Sequence, residues 1–213
     1  MDLHTVYKYL PLTCAELLSN SGCIKIGTLH SYRNTEEFGS EIGDINEGVV
    51  SKYSQDKDAK RGDELNPLEK QVIKVGHGMV VENNYVERFL QSPNCYIFCA
   101  SLSYEKAILE KLNRDYPEDK YDACVEIKNI KNFVNEITSA FSGQVKFVGY
   151  FNCAYIGRKH HYAKTIPHPA IIKDPRYSYQ KEVRFIWELK EKNKIEPVCF
   201  TIKKIQDNCC LFT

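Results

Sequence analysis

With 213 residues, 43% of them hydrophobic and 12% aromatic, the chain has ample material for a core and is expected to fold as one domain spanning 1–213. Its 29 lysines and arginines almost cancel 28 aspartates and glutamates, which excludes a global field that would draw it to nucleic acid or an anionic membrane; a polyanionic partner would need a local patch. The opening Met1-Asp2-Leu3-His4-Thr5 lacks a basic leader followed by an apolar run, and no apolar stretch reaches bilayer-spanning length, so a soluble, cytoplasmic protein without a membrane partner is predicted.

Val6 to Leu10 alternates and stops at Pro11, a first strand. Thr13 with Glu16 three residues on suggests a capping box opening a short helix to Asn20, with Gly22 as its stop. Cys23 to Leu29 is a second strand. From His30 to Gly48 no period holds; three glycines, four glutamates and one aspartate predict an ordered loop of special geometry, the kind that carries function. Ser54 to Pro67 is charged and predicted to be an exposed connection, Leu68 to Val81 fits helix or strand, and Tyr85 to Leu90 is short and amphipathic. Asn94 to Leu102 is nearly all apolar, a central strand buried on both faces. A surface helix (Tyr104 to Arg114), a strand (Asp122 to Ile127), a helix (Ile130 to Phe141) and a strand (Gln144 to Ile156) follow, with Gly143 turning the chain between the last two. Gly157 to Lys164 is the one basic cluster, expected as a loop whose interleaved aromatics could hold phosphate or stack on a base. Pro197 to Ile205 closes the sheet. Strands outnumber helices and no glycine-rich phosphate loop occurs, so the class is α+β: helices packed on a bent, mostly antiparallel sheet.

The nine cysteines form no disulfide framework and lie mostly among apolar neighbours, as buried thiols in a reducing compartment do. No CxxC pair or histidine-rich helix suggests a metal site. Tyr177 to Glu188 is expected as one strand with Gln180, Glu182, Arg184 and Ile186 on one face. A carboxylate and a guanidinium on an interior strand are costly unless paired or used, which makes Glu182 and Arg184 the leading functional candidates; the alternative is an edge strand with a solvated polar face.

Tyr7-Lys8-Tyr9, Glu16-Leu17-Leu18, the loop from His30 to Glu47, Ile97-Phe98-Cys99-Ala100-Ser101 and Tyr179-Gln180-Lys181-Glu182-Val183-Arg184 together resemble a broad bacterial family of unknown function found near phage-defence and toxin loci, with "YKY", "FCxS" and "YxxExR" motifs. That family is distantly similar to the ADP-ribosyltransferase fold of DarT-type toxins and RNA 2'-phosphotransferases. The resemblance implies a split, mostly antiparallel sheet, NAD as substrate, and transfer of ADP-ribose to a nucleic acid or protein. It assigns catalysis to Glu182 and Arg184 and nucleotide binding to Tyr7, Lys8, Tyr9, His30, Tyr32, Arg33, Ser101 and Tyr179. The chain departs from DarT-type proteins in reading Tyr7-Lys8-Tyr9 on the first strand, with His4-Thr5 just ahead, and from the arginine-specific branch in having Gln180 for the first glutamate of Glu-x-Glu. Two other functions fit the residues: a nucleotide- or protein-binding module in which Glu182 and Arg184 are a structural pair, and a nuclease holding magnesium on Glu41, Asp44 and Glu47.

Overall fold

The computed structural model describes residues 3–34, 43–74, 79–113, 121–191 and 193–212. β1 (Thr5–Leu10), α1 (Leu12–Ser21) and β2 (Cys23–Thr28) open the chain, followed by β3 (Val49–Asp56), β4 (Lys60–Arg61), α2 (Pro67–Val72), β5 (Val80–Val81) and β6 (Asn84–Gln91). Next come β7 (Tyr96–Ser101), α3 (Lys106–Leu112), β8 (Ala123–Lys128), α4 (Ile130–Ala140) and β9 (Val145–Asn152). β10 (Ala154–Tyr155), β11 (Lys159–His161), β12 (Ile172–Lys173), β13 (Glu182–Leu189), β14 (Val198–Thr201) and β15 (Cys209–Phe212) complete it. The architecture is α+β with mostly antiparallel strands.

β7 is the axis of an eight-stranded antiparallel sheet. One of its edges pairs with β13, from Glu182↔Ser101 to Trp187↔Tyr96, and β13 carries β9 on its far side. The other edge is divided: β2 takes one end through Gly27↔Ile97 and Thr28↔Tyr96, and β1 takes the opposite end through Tyr7↔Ser101. β2 continues into β14, and β1 into β8 and β15. The sheet therefore forks at β7, leaving β1 and β2 side by side without a shared ladder.

β13 shows why the sheet holds. Val183, Phe185 and Trp187 point into the main core with Ala15 and Leu18 of α1 and Phe133, Val134 and Ile137 of α4, each burial contributing about 1.5–3 kcal/mol for the large side chains. Trp187 donates its indole N–H to Thr138 Oγ1 at 2.8 Å, so its one polar atom is satisfied. A smaller sheet of β11, β3 and β6 lies outside this core; β3 and β6 run antiparallel and β11 runs parallel to β3. β10 and β12 form a short parallel pair.

Several expected elements are revised. The strand placed at Tyr177 to Glu188 begins at Glu182: Pro175–Gln180 is a 3-10 helix, and Lys181, at φ 45°, turns the chain into β13. That strand is central, between β7 and β9, which removes the edge-strand alternative. Thr13 does not cap α1; its N-cap is Pro11, and the carboxylate of Asp122, the residue just before β8, accepts the Leu12 N–H at 2.6 Å. Gly22 ends α1 as expected, at φ 66°, with its N–H donated to Leu18. The connection expected from Ser54 contains the end of β3, and the basic cluster expected as a loop contains β11. α2 is opened by Asn66, Pro67 and a capping box with Glu69. Residues 35–42 of the loop expected from His30 to Gly48, and residues 75–78 within the Leu68 to Val81 stretch, lie outside the described residues.

Candidate functional site

Where β1 and β2 part, a cleft of about 490 Å³ opens, within the ~300–1,000 Å³ typical of small-molecule sites. β1 gives it Tyr7, Lys8 and Tyr9, β7 gives Cys99 and Ser101, and β13 gives Glu182 and Arg184; Tyr32, Glu47 and Lys173 come from the outer segments. Gly27 also lines it, and its lack of a side chain is what lets Tyr32 lie across β2: a Cβ there would sit 2.7 Å from the ring and 2.9 Å from the hydroxyl.

At one side of the cleft four charges close on one another. Glu182 Oε1 accepts from Arg184 Nε at 2.6 Å, while Oε2 is held by the Lys173 ammonium. Arg184 then donates to both oxygens of Glu47, at 2.7 and 3.0 Å, and to the Ala170 carbonyl at 2.6 Å. All four side chains are 7% exposed or less. Two carboxylates and two cations in bonded contact make this burial tolerable, because each charge replaces lost water with a partner. Burial by itself would raise the Glu182 pKa, but Arg184 and Lys173 reverse that and hold the carboxyl well below the usual range. Lys173 shows the converse: burial opposes its charge and Glu182 restores it, so its pKa is raised. Glu182 is further fixed by its backbone N–H, which donates to Tyr155 Oη at 2.6 Å, and Cys153 Sγ lies 3.6 Å from Oε1.

The neighbouring groups are kept neutral. Burial pushes the Tyr9 phenol and the Cys99 thiol up to about 12 each, and raises Tyr32 well above its ordinary value. Lys8 donates to the Cys99 carbonyl at 2.8 Å, and its ammonium lies 5.1 Å from the centre of the Phe98 ring.

Three other residues singled out in the sequence lie outside the cleft lining. His30 Nε2 is 3.1 Å from the Ser92 carbonyl, and its backbone N–H donates to Asn94. Arg33 donates to the Glu47 carbonyl at 2.8 Å, bracing the segment that brings Glu47 to Arg184. Tyr179 packs beside Tyr9, Ile108 and Leu112, under the Lys111 ammonium. Of the acidic residues assigned to a magnesium site, Glu41 lies outside the described residues, Asp44 pairs with Arg158 and Glu47 with Arg184. Lys173 was missed altogether, although a lysine inside Ile171-Ile172-Lys173 is the same kind of signal as Glu182 in its strand.

No protein-family model, curated protein or solved structure matches the chain.

Proposed function

We propose that the cleft binds NAD and that the protein cleaves the nicotinamide–ribose bond, passing ADP-ribose to a nucleic acid or protein acceptor. The observation that carries this is Glu182, a carboxylate kept ionised by Arg184 and Lys173 on the wall of a cleft at the fork of the sheet. Breaking that bond places positive charge on the ribose, and a fixed carboxylate beside it stabilises that charge as in glycoside chemistry. A carboxylate has about four acceptor positions, so Glu182 keeps capacity for a ribose hydroxyl beyond its bonds to Arg184 and Lys173. Tyr7, Tyr9 and Tyr32 offer aromatic surface to a base or to nicotinamide. The resemblance to the toxin- and defence-associated family points the same way, since a split sheet is where ADP-ribosyltransferases hold NAD.

One feature favours a second function. The Glu47–Arg184–Glu182–Lys173 cluster is neutral and closed on itself, as in a module that binds a nucleotide without acting on it. Incubating the protein with NAD, alone and with RNA, DNA or cell lysate, and following free nicotinamide by chromatography separates the two. Release that disappears in Glu182→Gln, with circular dichroism showing the variant folded at the assay temperature, supports cleavage. Binding of NAD by calorimetry without release supports the module. Absence of both overturns the NAD assignment.

A further inference from the structure

Away from the cleft, the small sheet of β11, β3 and β6 buries one face and leaves the other bare. Side chains alternate along its strands, so Val50, Ser54, Val86 and His160 share the buried face, while Tyr53, Tyr85, Phe89, Lys159 and His161 share the outer one. Phe89 is 70% exposed and Tyr85 48%. A sheet face that only meets water carries polar residues at such positions, whereas this one is built around rings. Tyr53 and Tyr85 are near-parallel, with centroids 6.2 Å and planes 23° apart, and His161 meets Tyr53 edge-on at 5.8 Å. The Lys159 ammonium lies 5.4 and 5.0 Å from the two tyrosine centroids.

The charge offered to solvent here is positive. Glu87, opposite Tyr53 in the register, accepts from the Tyr85 hydroxyl and pairs with Lys159 at 3.4 Å, and its side chain is 22% exposed against 55% for the lysine. Lys164, whose N–H donates to the His161 carbonyl, puts a second exposed cation at the end of β11. Asp56, the carboxylate of β3, lies on the opposite face and pairs with Lys60.

We propose that this face binds single-stranded nucleic acid, with bases on Tyr85 and Phe89 and phosphates on Lys159 and Lys164. Exposed rings interleaved with lysines suit a ligand that is flat and polyanionic at once, which is how sheet surfaces hold single strands. Tyr85 and Phe89 stand four residues apart on β6, about 13 Å at the rise of a strand, so they take two different bases of one chain. A duplex keeps its bases stacked on one another and offers neither ring a free base. None of these residues lines the cleft, so the binding requires no NAD and is independent of NAD cleavage.

The test measures the fluorescence anisotropy of labelled oligothymidylate, oligouridylate and a duplex with the full chain, in the absence of NAD. At least one single strand should bind more tightly than the duplex, and which one binds tells DNA from RNA. Tyr85→Ala and Phe89→Ala, checked for folding by circular dichroism, should each weaken binding at least about fivefold, the lower end for a lost stacked base. Tyr85→Phe and Phe89→Trp keep a ring and should keep the affinity. Lys159→Gln and Lys164→Gln should each reduce the slope of log affinity against log salt by about 0.7. Where an alanine variant does not fold, the lysine variants and the wild-type comparisons decide. Failure to bind either strand, equal affinity for the duplex, or indifference to loss of both rings overturns the proposal. So does displacement of the strand by polyglutamate at equal charge, which assigns the face to an acidic peptide, or sedimentation of the protein alone as a dimer that Phe89→Ala dissociates, which assigns it to a second copy.

Discussion

Glu182 and Arg184 share one face of β13, two residues apart, and their energies are inseparable from Glu47 and Lys173. Glu182→Gln leaves two buried cations facing Glu47 alone, and breaking a buried pair from one side costs about 3–5 kcal/mol. For a chain of this size each kcal/mol lowers Tm by about 2–4 °C, so thermal denaturation near neutral pH should show a large drop. Glu182→Gln with Arg184→Met removes one charge of each sign, and the double variant should lose less than the two single losses combined. Strict additivity would show that these charges do not sense one another. Lys8 carries the opposite sign. Its pKa is depressed by burial, so the unfolded chain binds more protons there and this residue's contribution to stability rises as pH climbs toward the unfolded lysine value of about 10.4. Lys8→Met should therefore raise Tm at pH 7, and the gain should shrink toward pH 10; a gain independent of pH would mean that charge burial is not its source.

At the scale of elements, the wall formed by β2 depends on Gly27. Ala at this position would press on the Tyr32 ring, forcing it to shift, at a cost of about 1–3 kcal/mol as in other overpacked sites. Gly27→Ala should then weaken NAD binding by calorimetry while circular dichroism stays native; unchanged affinity would place the ligand away from Tyr32. Thiol accessibility checks the packing of other elements. Cys14, Cys199 and Cys210 are exposed and should react first with a thiol reagent, whereas Cys95, Cys124 and Cys209, pushed up to about 12 by burial, should wait for unfolding. The sequence made β7, β8 and α4 legible because their apolar patterns are local and strong. It did not reveal β3, whose buried Ser51 and Ser54 break the apolar alternation and whose partner β6 begins 28 residues after β3 ends. Alternation from Tyr177 onward suggested a strand because side-chain pattern alone does not register the left-handed turn at Lys181. Likewise Asp122, which accepts the first N–H of α1, comes from a segment more than a hundred residues away, and Glu182 and Arg184 could be singled out from their strand while their partners Lys173 and Glu47 could not be paired with them.

For the molecule as a whole, the charge cluster ties two layers together. Glu182 and Arg184 belong to the main sheet, whereas Glu47 lies just ahead of β3 in the β3–β6 layer, and Ala170 and Lys173 belong to the segment that follows β11. Glu182 is held below its unfolded value of about 4.3, so its stabilising contribution is complete above that pH and is lost as pH falls toward and through the folded pKa. Lys173 has the reverse sign: its contribution is complete below the unfolded lysine value of about 10.4 and is lost as pH rises through its raised folded pKa. The cluster thus keeps the Glu182 and Lys173 contributions across the neutral range and first weakens in acid, where the Glu182 contribution falls by at most about 1.4 kcal/mol per pH unit. The large apolar core of β13, α1 and α4 has no such dependence. Native-state hydrogen exchange at pH 3.5 should therefore show the β3 and β6 amides losing protection relative to pH 7 while those of α4 and β8 keep theirs, after correction for the intrinsic pH dependence of exchange. In Glu182→Gln the β3–β6 layer should already exchange faster at pH 7 and change little on acidification. Equal loss of protection across both layers in the wild type would mean that the cluster stabilises the fold globally and does not act as the fastening between its two parts.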